Sequence, residues 1–141
     1  MDTHKLIDDL QRTLRAQVEE VQGLRSLPLK VLRTRPEPKR WSVLEIIEHM
    51  NLSSGHYYAA LRRIYAEADN GLRSLSNYTP GRRGNYFAEA MRPKADGAIG
   101  WKMRTLGRFE PRAVGSVELD ALDRFEAMCL GFIGLLERAR T

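Results

Sequence analysis

Cysteine is almost missing from this sequence: Cys129 stands alone in 141 residues. One thiol can close no intramolecular disulfide and form no CxxC pair, which excludes a stapled secreted fold and a thiolate-based zinc site. Histidine is nearly as scarce, with His4, His49 and His56 as the full set. No apolar run approaches the roughly 18 residues that suggest a membrane span. The opening MDTHKLIDDL lacks the basic-then-apolar order of a secretory signal. These absences set the expectation of a cytoplasmic protein with no membrane partner.

What is present suits one all-α domain over residues 1–141, since 43% hydrophobic content can furnish a substantial core. The net charge of +5 is uneven, with the basic excess lying between residues 71 and 115. Arg82, Arg83, Arg92, Lys94, Lys102, Arg104, Arg108 and Arg112 could attract an anion, but no zinc-finger, helix-turn-helix or RNA-binding motif accompanies them. Nucleic acid is therefore disfavoured as a partner, and ordinary solvated charge is the preferred reading.

Three long helices are expected. Leu6, Ile7, Leu10, Leu14, Val18, Val21 and Leu24 recur at spacings of mostly three and four, the mark of an amphipathic helix with one buried side. Pro28, Pro36 and Pro38 predict a connection over 28–39. The next helix is predicted from about Ser42 to Ala68. Glu45 serves as a capping-box partner of Ser42, Asp69-Asn70-Gly71 supplies the stop, and Val43, Ile46, Ile47, Met50, Tyr57, Leu61, Ile64 and Tyr65 form the apolar stripe.

Residues 71–115 are irregular, with short helices expected at Asn85–Met91 and Ala98–Leu106 and with Trp101 and Phe109 as packing anchors. The last helix is predicted to follow Ser116 and to extend through Ala139. Its broad face comprises Leu119, Leu122, Phe125, Met128, Cys129, Phe132, Ile133 and Leu136, and Gly131 and Gly134 predict close approach by a neighbour. A face this wide asks for more than one partner, so a fourth helix, in cis or from a second subunit, is expected.

The candidate chemistry centres on His49, which is open to two readings, a metal ligand or a packed ring. A zinc-like ion takes three or four protein ligands. His56 lies two turns on, about 10.5 Å along the same helix, too far to share a compact site, and reads as a packed or solvent-edge ring. His4 reaches His49 only if the helices pack favourably. Glu45 offers a carboxylate ligand or an acceptor behind the ligand, whereas Glu48 points about 100° away. Ser42, Ser53 and Ser54 lie near the histidines in sequence, which is not yet a catalytic triad.

The segment PKRWSVLEIIEHM, Pro38 to Met50, resembles the opening of the second helix in the DinB-like, YfiT-like family. KMRTLGRFEP, Lys102 to Pro111, with the helix after it, resembles that family's following connection and third helix. The resemblance implies a four-helix bundle and, in many members, a three-histidine site for a divalent metal (Zn, Ni, Fe or Mn) suited to hydrolase or thiol-transfer chemistry. It matches His49 to the first metal histidine, and Trp41 and Ser42 to the helix-opening motif. The family's other two histidines lie on a fourth helix with no counterpart here. The expectation is an incomplete bundle, its metal absent or incompletely coordinated, completed by a partner chain such as a second copy in a homodimer. A non-catalytic helical binding protein that has lost the metal site is the alternative.

Overall fold

A computed structural model describes residues 1–67, 75–92, 94, 96–98 and 104–140. Among them the chain is all-α: α1 (Thr3–Leu24), α2 (Leu29–Arg33), α3 (Val43–Glu67), α4 (Arg82–Met91) and α5 (Asp120–Arg140), with 3₁₀ turns at Gly107–Phe109 and Pro111–Val114. The one β-type contact is an isolated antiparallel bridge between Asp2 and Asn77.

The three long helices fall where periodicity places them, and α5 lies between the other two. Polar contacts pair Asp8 with Arg140, Gln11 with Glu137, Gln22 with Glu126 and Arg25 with Asp123. Each step forward in α1 is a step back in α5, so the two run antiparallel. Glu48 meets Arg124, the Tyr58 ring lies 5.0 Å from that of Phe132, and the Arg138 guanidinium sits 4.9 Å over Tyr65. α3 and α5 therefore run parallel. A parallel pair needs a return crossover as long as the helices, about 37 Å for the 25 residues of α3, which is why so many residues separate them. The crossover is pinned on its way, where Thr3 N–H donates to the Ser76 carbonyl and Tyr78 N–H to that of Met1.

This arrangement buries most of the wide face of α5 within the chain. Ala121, Leu122, Phe125, Met128 and Cys129 join Val21, Leu32, Leu44 and Ile47 in one core, at the end where α1 finishes and α3 and α5 begin. Leu119, expected on that face, is exposed. The connection over 28–39 is corrected by α2. Pro28 caps that short helix at its start, where a missing N–H costs nothing, and Leu32 is wholly buried.

The buried face of α3 is also corrected. Leu44, Glu45, Ile47 and Glu48 are its buried residues, whereas Ile46, Tyr57, Leu61 and Ile64 are 39–63% exposed. The contact with α5 is won by a mixed face whose carboxylates are paired; of the expected apolar stripe, Ile47 is buried and Val43 and Met50 pack against the core, while Ile46, Tyr57, Leu61 and Ile64 face outward. In the crossover, α4 begins three residues before its predicted start and buries none of its residues. The helix expected at Ala98–Leu106 is absent at Arg104–Leu106, and its centre, like Trp101 and the Asp69-Asn70-Gly71 stop, lies outside the described residues. Arg82, Arg83, Lys94, Arg104 and Arg108 are exposed and without an ion-pair partner among the described residues, as solvated charge requires. Arg108 lies 4.7 Å over the Phe109 ring.

Candidate functional site: the His49 niche

The niche begins with a helix start. Ser42 N–H donates to Glu45 Oε2 (2.8 Å) and Glu45 N–H to Ser42 Oγ (3.3 Å), the reciprocal capping box the spacing predicts. Glu45 is then claimed from outside the helix: Arg35 donates from Nε (2.9 Å) and from Nη2, and Arg112 Nε lies 3.6 Å from Oε1. The Arg35 guanidinium, followed by the Ser42 hydrogen bonds, holds the Glu45 carboxyl down to about 2, against the opposing pull of burial. A carboxylate occupied on both oxygens by a cap and two guanidiniums is a structural clamp joining the start of α3 to both flanking connections.

The pH consequence has a definite sign. A folded-state value below the ordinary 4.5 means that the clamp's stability is fully present above about pH 4.5 and is lost as the pH falls toward about 2. The contribution is on the order of 2–3 kcal/mol. Urea unfolding of the wild type and of Glu45→Gln should differ by about 2 kcal/mol at pH 7 and by less than half that at pH 3. An equal difference at both pH values would show that the charge on Glu45 is not what the clamp uses.

One turn on, His49 is half-buried between Trp41 and the first 3₁₀ turn. Its ring centroid lies 4.9 Å from that of Trp41, tilted by 40°. Nδ1 is 2.9 Å from the Phe109 carbonyl oxygen and 3.4 Å from Thr105 Oγ1. A carbonyl only accepts, so Nδ1–H donates and the neutral ring keeps its lone pair on Nε2. Two residues on, Pro111 is fully buried and opens the second 3₁₀ turn. Neither Phe109 as a backbone acceptor nor Thr105 has a sequence signature, because every residue carries a carbonyl. The 60-residue separation from His49 hides the pairing from any local pattern.

The other candidates lie elsewhere. His56 is exposed, with its ring 6.2 Å from Phe109 and 5.5 Å from Tyr57, as the solvent-edge reading expects. His4 begins α1 at the opposite end of the bundle. The pairing of α1 with α5 and of α5 with α3 sets it about 22 residues, or roughly 33 Å, from the level of His49. Glu48 points into the α3–α5 contact, where Arg124 Nη2 lies 2.9 Å from Oε2 and Asn51 Nδ2 donates to the same oxygen at 3.2 Å. Ser53 Oγ donates to the His49 carbonyl (2.8 Å), so it is no nucleophile poised on the ring.

A divalent metal fits this niche poorly. His49 Nε2 is one suitable donor with a carbonyl behind its Nδ1, the support a metal-bound imidazole ordinarily has. Yet Glu45 is committed to guanidiniums, and no group of three or more His, Cys, Asp or Glu side chains that could hold an ion occurs among the described residues. Cys129, buried in the core, has its thiol pushed up to about 11 by burial and is remote from any such role. No helix among the described residues is long and apolar enough to cross a membrane. Searches of protein-family models, curated proteins and solved structures return no match to this chain.

Proposed function

We propose that this chain is a helical interaction protein of the DinB-like, YfiT-like type, keeping that family's helix opening and His49 for structure, and presenting α3 to a macromolecular partner. One observation carries the reading. α3 uses a mixed, ion-paired face for its own bundle and turns Ile46, Tyr57, Leu61 and Ile64 to solvent. Several large apolar side chains left exposed along one helix are what an association site presents. The commitment of Glu45 to Arg35 and Arg112 supports the same reading, since it takes the carboxylate one turn before His49 out of metal chemistry.

A second reading, a divalent-metal-dependent hydrolase or thiol transferase, is favoured by the Nδ1–H bond to the Phe109 carbonyl, which leaves Nε2 as a ready ligand. The two are separated by metal analysis of protein purified without added metal. The interaction reading expects no stoichiometric divalent ion. One ion per chain in the wild type, lost in His49→Ala, would overturn it. A stability measurement accompanies this: Tyr57→Ser and Ile64→Ser should each shift the unfolding free energy by no more than about 0.5 kcal/mol at dilute protein concentration, because neither side chain belongs to the core.

A further inference from the structure

Parallel packing brings the starts of α3 and α5 to one end of the bundle, and a cavity of about 510 Å³ opens there. Arg33, at the end of α2, and Arg35, two residues on, line one side of it, Ser42 and Leu44 line the start of α3, and Ser116 and Val117 come from the turn before α5. Its volume suits a small molecule. The charges around it are the guanidiniums of Arg33, Arg35 and Arg112 and the carboxylates of Glu45, Glu118 and Glu110. They are not equally committed. The Glu45 side chain is 10% exposed and is held on both oxygens by Arg35, the Ser42 N–H and Arg112. Glu110 lies 4.0 Å from Arg112, on the far side of that clamp from Arg33.

Glu118 is held differently. One of its oxygens takes Arg33 Nη2 and the other takes the Ser116 hydroxyl at 3.2 Å. The Arg33 and Glu118 side chains are 43% and 58% exposed, so water screens the pair and little is lost when it opens. The chain's own carboxylate therefore rests on donors that an external oxyanion can take over. It also uses the available donors incompletely. Nε and Nη1 of Arg33 and Nη1 of Arg35 have no hydrogen-bond partner among the described residues. A planar carboxylate brings two oxygens to such a set, whereas a phosphate monoester brings three terminal oxygens, enough for Arg33, Arg35 and Ser116 together. With Glu118 turned away, three guanidiniums face the two remaining carboxylates, and the cavity carries net positive charge.

We propose that this cavity binds a small organic phosphate monoester, its phosphate held by Arg33, Arg35 and Ser116 and its organic part facing Leu44 and Val117. Glu118 is then a tethered competitor, which the ligand displaces into solvent. A cavity of this volume is larger than a bare phosphate fills, so the organic group adds to the affinity. The inference goes beyond the interaction reading and does not depend on what binds α3.

Calorimetric titration of the full chain with phenyl phosphate, inorganic phosphate and phenylacetate tests it, at neutral pH, above the second phosphate pKa of about 6. Phenyl phosphate should bind once per chain, about tenfold more tightly than either of the others. Arg33→Gln should weaken phenyl phosphate about tenfold, and Glu118→Gln, which removes the competitor, should tighten it. Arg83→Gln, which alters an exposed arginine of the crossover, should leave it unchanged. Arg33 is the arginine to alter because Arg35 also holds the Glu45 clamp. Circular dichroism checks that each variant folds. If Arg33→Gln does not fold, Glu118→Gln decides alone, since its exposed side chain can be neutralised without disturbing the core. The absence of saturable phenyl phosphate binding at millimolar concentration overturns the proposal, as does equal weakening by Arg33→Gln and Arg83→Gln, which marks diffuse attraction. Phenylacetate binding as tightly as phenyl phosphate overturns the phosphate assignment. Weaker binding by Glu118→Gln overturns the role of Glu118 as competitor, and with it the displacement on which the site depends.

Discussion

Arg124→Ala should destabilise the protein by about 3 kcal/mol, more than its half-exposed position suggests. The guanidinium itself is accessible and its pairing with Asp120 is worth little. Its other partner is the reason for the size: the Glu48 side chain is 4% exposed and takes Arg124 Nη2 at 2.9 Å and Nη1 at 3.1 Å. Without Arg124 that carboxylate keeps only the Asn51 amide, which already divides its donors between Glu48 and the Ala121 carbonyl. A buried charge left with one neutral hydrogen bond is what makes broken interior pairs expensive. The double variant Glu48→Met/Arg124→Leu removes both charges and fills the space with apolar atoms, and should return to within about 1 kcal/mol of wild type. Denaturant unfolding of the single and double variants measures both. A double variant as unstable as the single one would show that the pair itself, rather than the stranded carboxylate, holds α3 to α5.

The same pair explains which parts of the fold were legible in the sequence. α1 and α5 could be read because their apolar residues recur with the helical period and face the core. The start of α3 could be read because a capping box is local, with Ser42 and Glu45 three residues apart. The orientation of α3 could not. A helical wheel weighs apolar side chains, and on this helix the apolar stripe overlaps the buried face only in part, sharing Val43, Ile47 and Met50 with it and leaving Ile46, Tyr57, Leu61 and Ile64 outside. What turns Glu48 inward is Arg124, 76 residues away, and no local periodicity carries that information. α2 was missed for a related reason. Pro28 reads as a break from sequence alone, whereas as the cap before Leu29 it lets a helix start.

The His49 niche shows the limit more sharply. The helix opening and the histidine are visible in the sequence, but the group that fixes the ring is the main-chain carbonyl of Phe109, brought there by a 3₁₀ turn. Arg35 and Arg112, which decide that Glu45 serves as a clamp rather than a ligand, come from two connections that read as irregular. The candidate residues were thus found as positions, and their roles were assigned by partners that only the tertiary fold supplies.

Two glycines on α5, three residues apart, should respond to the same substitution with opposite signs. In sequence both look like sites of close approach, but only Gly131 is one. A methyl group there would overlap the hydroxyl and ring of Tyr58, whereas one at Gly134 would meet nothing within 4 Å. Gly134→Ala should therefore stabilise the protein by up to about 1 kcal/mol, the helix-propensity gain of alanine over glycine. Gly131→Ala collects the same gain and loses more. The Tyr58 ring is held against Phe132 at 5.0 Å and beneath the Arg62 guanidinium at 5.7 Å, so it moves only by giving up those contacts. Overpacking of this kind costs about 1–3 kcal/mol, and because both variants collect the same propensity gain, that cost is the gap between them, with Gly131→Ala below wild type once it exceeds about 1 kcal/mol. Thermal or urea unfolding of both variants gives the difference directly. Adding Tyr58→Ala to each then separates the causes. With the ring gone, alanine at 131 should become as favourable as alanine at 134, and a penalty that persists in the Tyr58→Ala background would place the obstruction in the α5 backbone instead of in the side chain that α3 lays across it.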